Sequence, residues 1–185
     1  EINSLGSCIY RINGAHADSH QTKEITDLLR SFIPNPTIMI DLPGNKVRTS
    51  NLSEPIQLIK GESFHLSDDQ VNYSEFRKHL KTGDIIYAND SIFTIEVLEI
   101  TNEGIKLKSH SEGFLASNKG LHVQGIHQSI PFLFERDIAL INTAAEIDLD
   151  IISLSFVRDA DDVRKAKKIL AQHNKQKIEI FAKIE

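Results

Sequence analysis

Charged and polar side chains recur at the downstream ends of the apolar segments of this chain. Arg11-Ile12-Asn13-Gly14-Ala15-His16 follows one segment, and Asp41-Leu42-Pro43-Gly44-Asn45-Lys46-Val47-Arg48 a second. Ser155-Phe156-Val157-Arg158 follows a third, and Lys183-Ile184-Glu185 closes the sequence. Arginines and lysines grip the oxygens of an anion, and carboxylates among them can hold a hard divalent cation, so together the four tails read as an anion site with a metal. In Lys183-Ile184-Glu185 the period of two of a strand puts ammonium and carboxylate on one face. By spacing alone that pair is more often an ordinary surface ion pair, and any single tail is only a polar loop. His16 and His20 stand at i, i+4 but have no glutamate between them and no third ligand, so they do not read as a metal pair.

The apolar segments that must position these groups alternate between two periods. Cys8 to Asn13 reads as a strand, and Ile25, Leu28, Leu29 and Phe32 then recur at i, i+3, i+4, i+7, which predicts a helix with those four on its core face. Asp18 or Ser19 can cap it and Pro34-Asn35-Pro36 ends it. Thr37 to Ile40 is a short continuous apolar strand of the kind buried in a parallel sheet, which completes a β-α-β unit. From Thr49 to about Gly125 the pattern becomes alternating strands with turn signals, and only Ser74 to Leu80 reads as helical. The βα rhythm then resumes, with Ile138, Ile141 and Ala145 on one helix face and a strand from Asp150 to Phe156. A helix from about Ala160 to His173 and a strand from Ile178 to Ile184 follow. Asp159, Asp161 and Asp162 lie at the positive end of that helix. This predicts an α/β protein whose parallel layer, residues 1–48 and 126–185, is interrupted by a β module at 49–125. In such folds the downstream strand ends converge on the ligand-binding face.

Composition narrows the function classes. The chain of 185 residues is 40% hydrophobic and carries a net charge of −5 without a basic block, which argues for a folded protein and against nucleic acid as its main partner. The single cysteine, Cys8, excludes an intrachain disulfide and a cysteine zinc site, and fits a reducing cytoplasm. No apolar run approaches the roughly 20 residues that span a bilayer, so no membrane partner is expected. The start at Glu1 suggests that the natural N-terminus lies upstream.

Five motifs in order, Arg11-Ile-Asn-x-Ala-His, Ile40-Asp-Leu-Pro-Gly-x-Lys-Val-Arg-Thr, Gly113-Phe-Leu-Ala-Ser-Asn-Lys-Gly, Ser155-Phe-Val-Arg and Ala182-Lys-Ile-Glu, resemble those of pyruvate kinase across the whole chain. The resemblance implies part of a (β/α)8 barrel with an inserted small β-barrel domain that closes over the nucleotide. It implies phosphoryl transfer from phosphoenolpyruvate to ADP, giving pyruvate and ATP, a glycolytic step catalysed by positioning and charge neutralisation. Lys183 would stabilise the enolate oxygen, Arg11 would hold the phosphoryl group, and Glu185 would bind Mg2+ or Mn2+. His16, Arg48, Lys119 and Asp90 would lie on the nucleotide and phosphate side. Asp90 is the less specific match, because the Asp-Asp-Gly turn of the family reads Asn89-Asp90-Ser91 here and a tight hairpin explains it nearly as well.

Asn13 and Asp41 resemble ligands of a monovalent cation, but the serine usual beside them is Ala15. Leu42, Pro43 and Lys46 stand where potassium-dependent members have Thr, Lys and Glu. The set resembles the potassium-independent branch, in which the Lys46 ammonium, paired with Asp41, replaces K+. The aspartate that completes the family's Mg2+ site and the threonine beside the pyruvate have no counterpart in this sequence, so the chain is expected to be a piece of a longer enzyme, inactive alone and homo-tetrameric when whole. The alternative is a degenerate relative that binds a phosphorylated metabolite or a partner without turnover.

Overall fold

The computed structural model describes residues 8–175 and 177–184. They fall into two compact units, residues up to Asn45 together with those from Phe132 onward, and the contiguous segment Lys46–Pro131. In chain order the elements are β1 (Ile9–Asn13), α1 (Ser19–Phe32) and β2 (Thr37–Asp41) in the first unit. The second unit holds β3 (Ile56–Leu58), β4 (Ser63–Ser67), β5 (Ile85–Ala88), β6 (Phe93–Ile100), β7 (Gly104–Ser109), β8 (Gly113–Leu115) and β9 (Leu121–Val123). The chain then returns to the first unit for α2 (Glu135–Glu146), β10 (Ile151–Leu154), α3 (Ala160–Gln172) and β11 (Glu179–Ala182). Ser74 to Leu80, expected to be helical, contributes only a single 3-10 turn at Phe76–His79.

The first unit is an all-parallel sheet in the order β1-β2-β10-β11, the consequence of helical crossovers between successive strands. Ile12, Ile38, Ile40, Ile152 and Leu154 share one buried cluster with Leu140, Ile141, Ala144 and Ala145 of α2 and Ala166 and Leu170 of α3. Even-numbered strand positions therefore face the helices. Odd-numbered positions take the other face, where Asn13, Asp41, Ser153 and Phe181 lie at one level across the four strands. All four residues of β10 are buried, the pattern of a strand covered on both faces.

Helix α1 corrects the expected core face. Thr22 and Thr26 are the fully buried residues, whereas Ile25, Leu28 and Phe32 are exposed, Phe32 to 77%. The threonines can face inward because their hydroxyls are already satisfied: Thr22 donates to the Asp18 carbonyl at 2.7 Å and Thr26 to that of Thr22 at 2.8 Å. Leu29 alone of the predicted four packs on the core. Ile138 likewise lies 39% exposed while Ile141 and Ala145 are buried. Caps follow the sequence more closely. The Asp18 carboxylate accepts from Gln21 N at 2.8 Å and the Gln21 side chain accepts from Asp18 N at 3.0 Å, a reciprocal box at the start of α1. Asp159 caps α3 by accepting from Asp161 N and Asp162 N.

The second unit is antiparallel: a five-stranded sheet β4-β7-β6-β5-β9 and a two-stranded pair β3-β8. Strand β6 alternates buried Phe93, Ile95 and Val97 with half-buried residues, the period of a one-sided sheet. Between β5 and β6 the chain turns through Asn89, Asp90 and Ser91, all three with positive φ (53°, 54° and 68°). No glycine stands in that turn, so each residue carries the steric cost of a left-handed backbone.

Candidate functional site

The parallel register decides which charged tails meet. Arg11 lies two residues before Asn13 and Lys183 two residues beyond Phe181, so both share the face and neighbourhood of Asp41. Asp41 is buried, and its Oδ2 accepts from Arg11 Nε at 2.8 Å and from a second nitrogen of the same guanidinium. The Lys183 ammonium lies 2.9 Å from Oδ1. Burial alone would raise the Asp41 carboxyl, but the hydrogen bonds and charges of Lys183 and Arg11 outweigh it and hold it below the ordinary carboxylate range. One buried anion thus fixes two cations and leaves a net positive charge at the sheet end.

The loops around this trio are tied by backbone. Gly14 N donates to the Asp41 carbonyl at 2.9 Å, and Asn13 Oδ1 accepts from Ala15 N at 3.1 Å, which uses the Asn13 amide to build its own turn. A Cβ on Gly14 would stand 2.8 Å from the Asp41 carbonyl oxygen and 2.9 Å from Leu140 Cδ1, so only glycine lets β1 leave so close to β2. His16 is exposed in that loop, its N–H donating to the Asn13 carbonyl. Ser155 is buried and its hydroxyl donates to the Leu42 carbonyl at 2.6 Å, the backbone-satisfying role usual for a strand-end serine.

Sequence reasoning passes over two residues that hold these loops, Arg136 and Asp137 in the first turn of α2. Arg136 Nε donates to the Gly14 carbonyl at 3.0 Å, and its outer nitrogen donates to the carbonyls of Ala15 and Ala17 at 3.2 and 3.3 Å. The local signal, an acid three residues after Phe134, marks a helix start but cannot reveal partners more than 90 positions away.

The remaining predicted residues belong to the second unit and meet there. Lys46 corrects the expected pairing with Asp41, whose two oxygens are taken by Arg11 and Lys183: its ammonium lies 3.4 Å from Asp90 Oδ1, and its stem passes over Gly120, where a Cβ would stand 2.7 Å from Lys46 Cε. Arg48 bridges to Gly120 in antiparallel fashion and donates from its guanidinium to the Asn118 carbonyl at 3.2 Å. Thr49 N bonds the Lys119 carbonyl at 2.9 Å, so Lys119 lies one residue from both Gly120 and Asn118. Lys46, Arg48, Lys119 and Asp90 thus share one corner of that unit.

Among the described residues no three His, Cys, Asp or Glu side chains gather to hold a metal. Asp41 is already held by Arg11 and Lys183, Asn13 Oδ1 by Ala15 N, and Ala15 offers no hydroxyl, a donor set that does not fit a bound monovalent cation. Glu185, the expected divalent-metal ligand, lies outside the described residues. No helix among the described residues is long and apolar enough to cross a membrane.

The family described as pyruvate kinase, barrel domain, matches residues 1–185. The chain is 32% identical to the pyruvate kinase of Thermotoga maritima over 98% of its own length and 42% of that protein. It is 29% identical to the pyruvate kinase of Aeropyrum pernix over 98% of its length and 41% of that relative. With plastidial pyruvate kinase 2 of Arabidopsis thaliana it shares 28% over its full length and 34% of the relative. The chain therefore spans roughly two-fifths of the curated relatives it matches. With its parallel sheet, its helix-covered face and a family match that runs from end to end, this chain belongs to the pyruvate kinase barrel-domain family.

Proposed function

We propose that the full-length protein containing this chain transfers a phosphoryl group from phosphoenolpyruvate to ADP, giving pyruvate and ATP. The observation that carries the reading is the Arg11–Asp41–Lys183 trio at the downstream end of a parallel sheet. In the reaction the bond between phosphorus and the enol oxygen breaks and one to the terminal phosphate oxygen of ADP forms. The enolate left behind takes up a proton to become pyruvate. Arg11 keeps 52% of its side chain exposed, so its guanidinium can hold phosphoryl oxygens while Asp41 fixes its plane. Lys183, 36% exposed, places an ammonium where the enolate charge develops, and Asp41 keeps that ammonium oriented before the charge appears.

In this reading the first unit is part of an eight-stranded barrel and residues 46–131 are the family's small nucleotide-binding β domain, in which Lys119, Asp90 and Arg48 serve the nucleotide and phosphates, while His16 serves them from the first unit's own loop. When bound, Mg2+ or Mn2+ would neutralise charge on the phosphoryl group, with Glu185 one of its ligands. Asn13, Asp41 and Lys46 are the residues of the monovalent-cation region; Asp41 is already neutralised by Arg11 and Lys183, and for Lys46 to take the place of K+ its ammonium must leave Asp90 when substrate binds. The whole protein is expected to be a cytoplasmic homo-tetramer.

The test is an assay of the full-length protein for pyruvate formation from phosphoenolpyruvate and ADP with Mg2+, with and without K+. Turnover without K+ is expected. An absolute K+ requirement would remove the role given to Lys46. Phosphoenolpyruvate binding with no turnover would establish the binding-protein alternative instead.

A further inference from the structure

The chain leaves the first unit after Asn45 and returns to it at Phe132. One carboxylate lies against both crossings. Asp137 is fully buried; its Oδ1 accepts from Gly44 N at 2.9 Å, on the outgoing loop, and its Oδ2 accepts from Phe134 N at 2.9 Å, on the returning one. Burial pushes its carboxyl above the ordinary range, and the two backbone bonds pull in the opposite direction.

Both crossings are also seated firmly in the first unit. Gly44 has φ +69°, and a Cβ there would stand 2.9 Å from Ser155 Cβ and 3.0 Å from the Phe156 ring, so the outgoing turn is pressed onto the end of β10. On the returning side Phe132 lies in the core cluster with the Arg158 guanidinium 5.7 Å from its ring centre. Next to Gly44, Asn45 is fully buried, and neither its amide nitrogen nor its oxygen meets a hydrogen-bond partner among the described residues. An unsatisfied buried amide drives a free loop toward water. Something must hold the outgoing loop against that pull, and Asp137 has the geometry to do it.

We propose that Asp137 clamps the stem of the insertion. It joins the outgoing and returning loops through one carboxylate, so that residues 46–131 are connected through a single tied stem and not through two independent tethers. Because Gly44 lies three residues beyond Asp41, the same clamp holds the β2 loop, and with it the frame of the Arg11–Asp41–Lys183 trio, whatever the insertion does. The inference goes beyond the phosphoryl-transfer reading and holds or fails independently of it.

Amide hydrogen exchange on the full-length protein tests the clamp. In the wild type the Gly44 and Phe134 amides should exchange far more slowly than open-loop amides. Asp137→Asn keeps the size but replaces one acceptor by an NH2 facing an N–H, and should speed exchange at Gly44 and Phe134 by about tenfold or more. Exchange in β10 and α3 should be unchanged. Thr26→Val, which removes an equally buried polar group on α1, bonded only within its own helix, should leave Gly44 and Phe134 protected. The clamp is overturned if Gly44 already exchanges at open-loop rates in the wild type, a measurement that needs no variant to fold. It is equally overturned if Asp137→Asn leaves both amides protected, or speeds β10 and α3 as much as the stem, since that is a general loss of stability.

Discussion

The two charged corners of this molecule are built on opposite plans. In the first unit a carboxylate with 7% of its side chain exposed is held by two cations, Arg11 on the adjacent strand β1 and Lys183 just past the end of β11 two strands away, with contacts of 2.8 and 2.9 Å. In the second unit Lys46 reaches Asp90, 83% exposed on a left-handed turn, at 3.4 Å. A pair of the first kind is pre-organised and changes little when a ligand arrives, whereas one of the second kind is screened by water, worth about 0–1 kcal/mol, and free to exchange partners. Charge that must be in place before chemistry belongs on the sheet, and charge that must adapt to a ligand belongs on the turn.

The sharpest way to break this contrast is catalytic. In the full-length protein Lys183→Met should lower kcat roughly 10²–10³-fold, the cost of losing one oriented donor at a developing oxyanion. Asp90→Ala should leave kcat within about threefold. Equal losses measured by steady-state kinetics would erase the distinction.

Two glycines sharpen it through stability. Gly14→Ala drives a methyl group against the Asp41 carbonyl oxygen and Leu140, and should cost about 1–3 kcal/mol in denaturant unfolding. Gly120→Ala meets only the far end of the Lys46 side chain, which can swing aside, and should cost about 0.5 kcal/mol or less. A Gly120→Ala loss as large as that of Gly14→Ala would mean that the second corner is as rigid as the first.

Acid separates buried from exposed carboxylates in the same way. Burial raises the Asp162 carboxyl, but hydrogen bonds from Arg158, at 2.8 Å to each oxygen, and Lys165 outweigh it and bring it down to about 2. Because the folded value lies below the unfolded one, the stability it contributes is complete above about pH 4 and lost as pH falls toward 2. Asp162→Asn should remove about 2 kcal/mol of that acid-sensitive stability, seen as a flatter decline of stability with pH over this window. Asp41, also lowered, contributes with the same sign. The smallest effect is expected at the exposed corner, where Asp90→Asn should change unfolding stability by no more than about 0.5 kcal/mol at neutral pH.

The sequence made the strand ends legible because chemistry there needs polar residues on short apolar strands, but only the register between strands shows that Arg11, Asp41 and Lys183 share one face. The Asp18 cap was legible for a similar reason, since its partner lies three residues on, whereas Asp159 was legible only as one of three acids at the start of its helix. The core face of α1 was not. Hydrophobicity favours Ile25, Leu28 and Phe32, and only a side-chain to backbone bond at each threonine makes the other face suitable for burial. Arg136 and Asp137 were illegible for another reason: each acts on loops more than 90 positions away, and a charged residue in the first turn of a helix looks the same whether it faces water or a distant backbone.

The Asn89-Asp90-Ser91 turn makes the charge of its corner modular. All three residues hold positive φ without a glycine, and Asp90 is presented by that backbone shape and not by packing. A change at Asp90 alters the partner of Lys46 without disturbing a single core side chain, so the charge offered by this corner can be reset by one substitution while the sheet beneath it stays fixed.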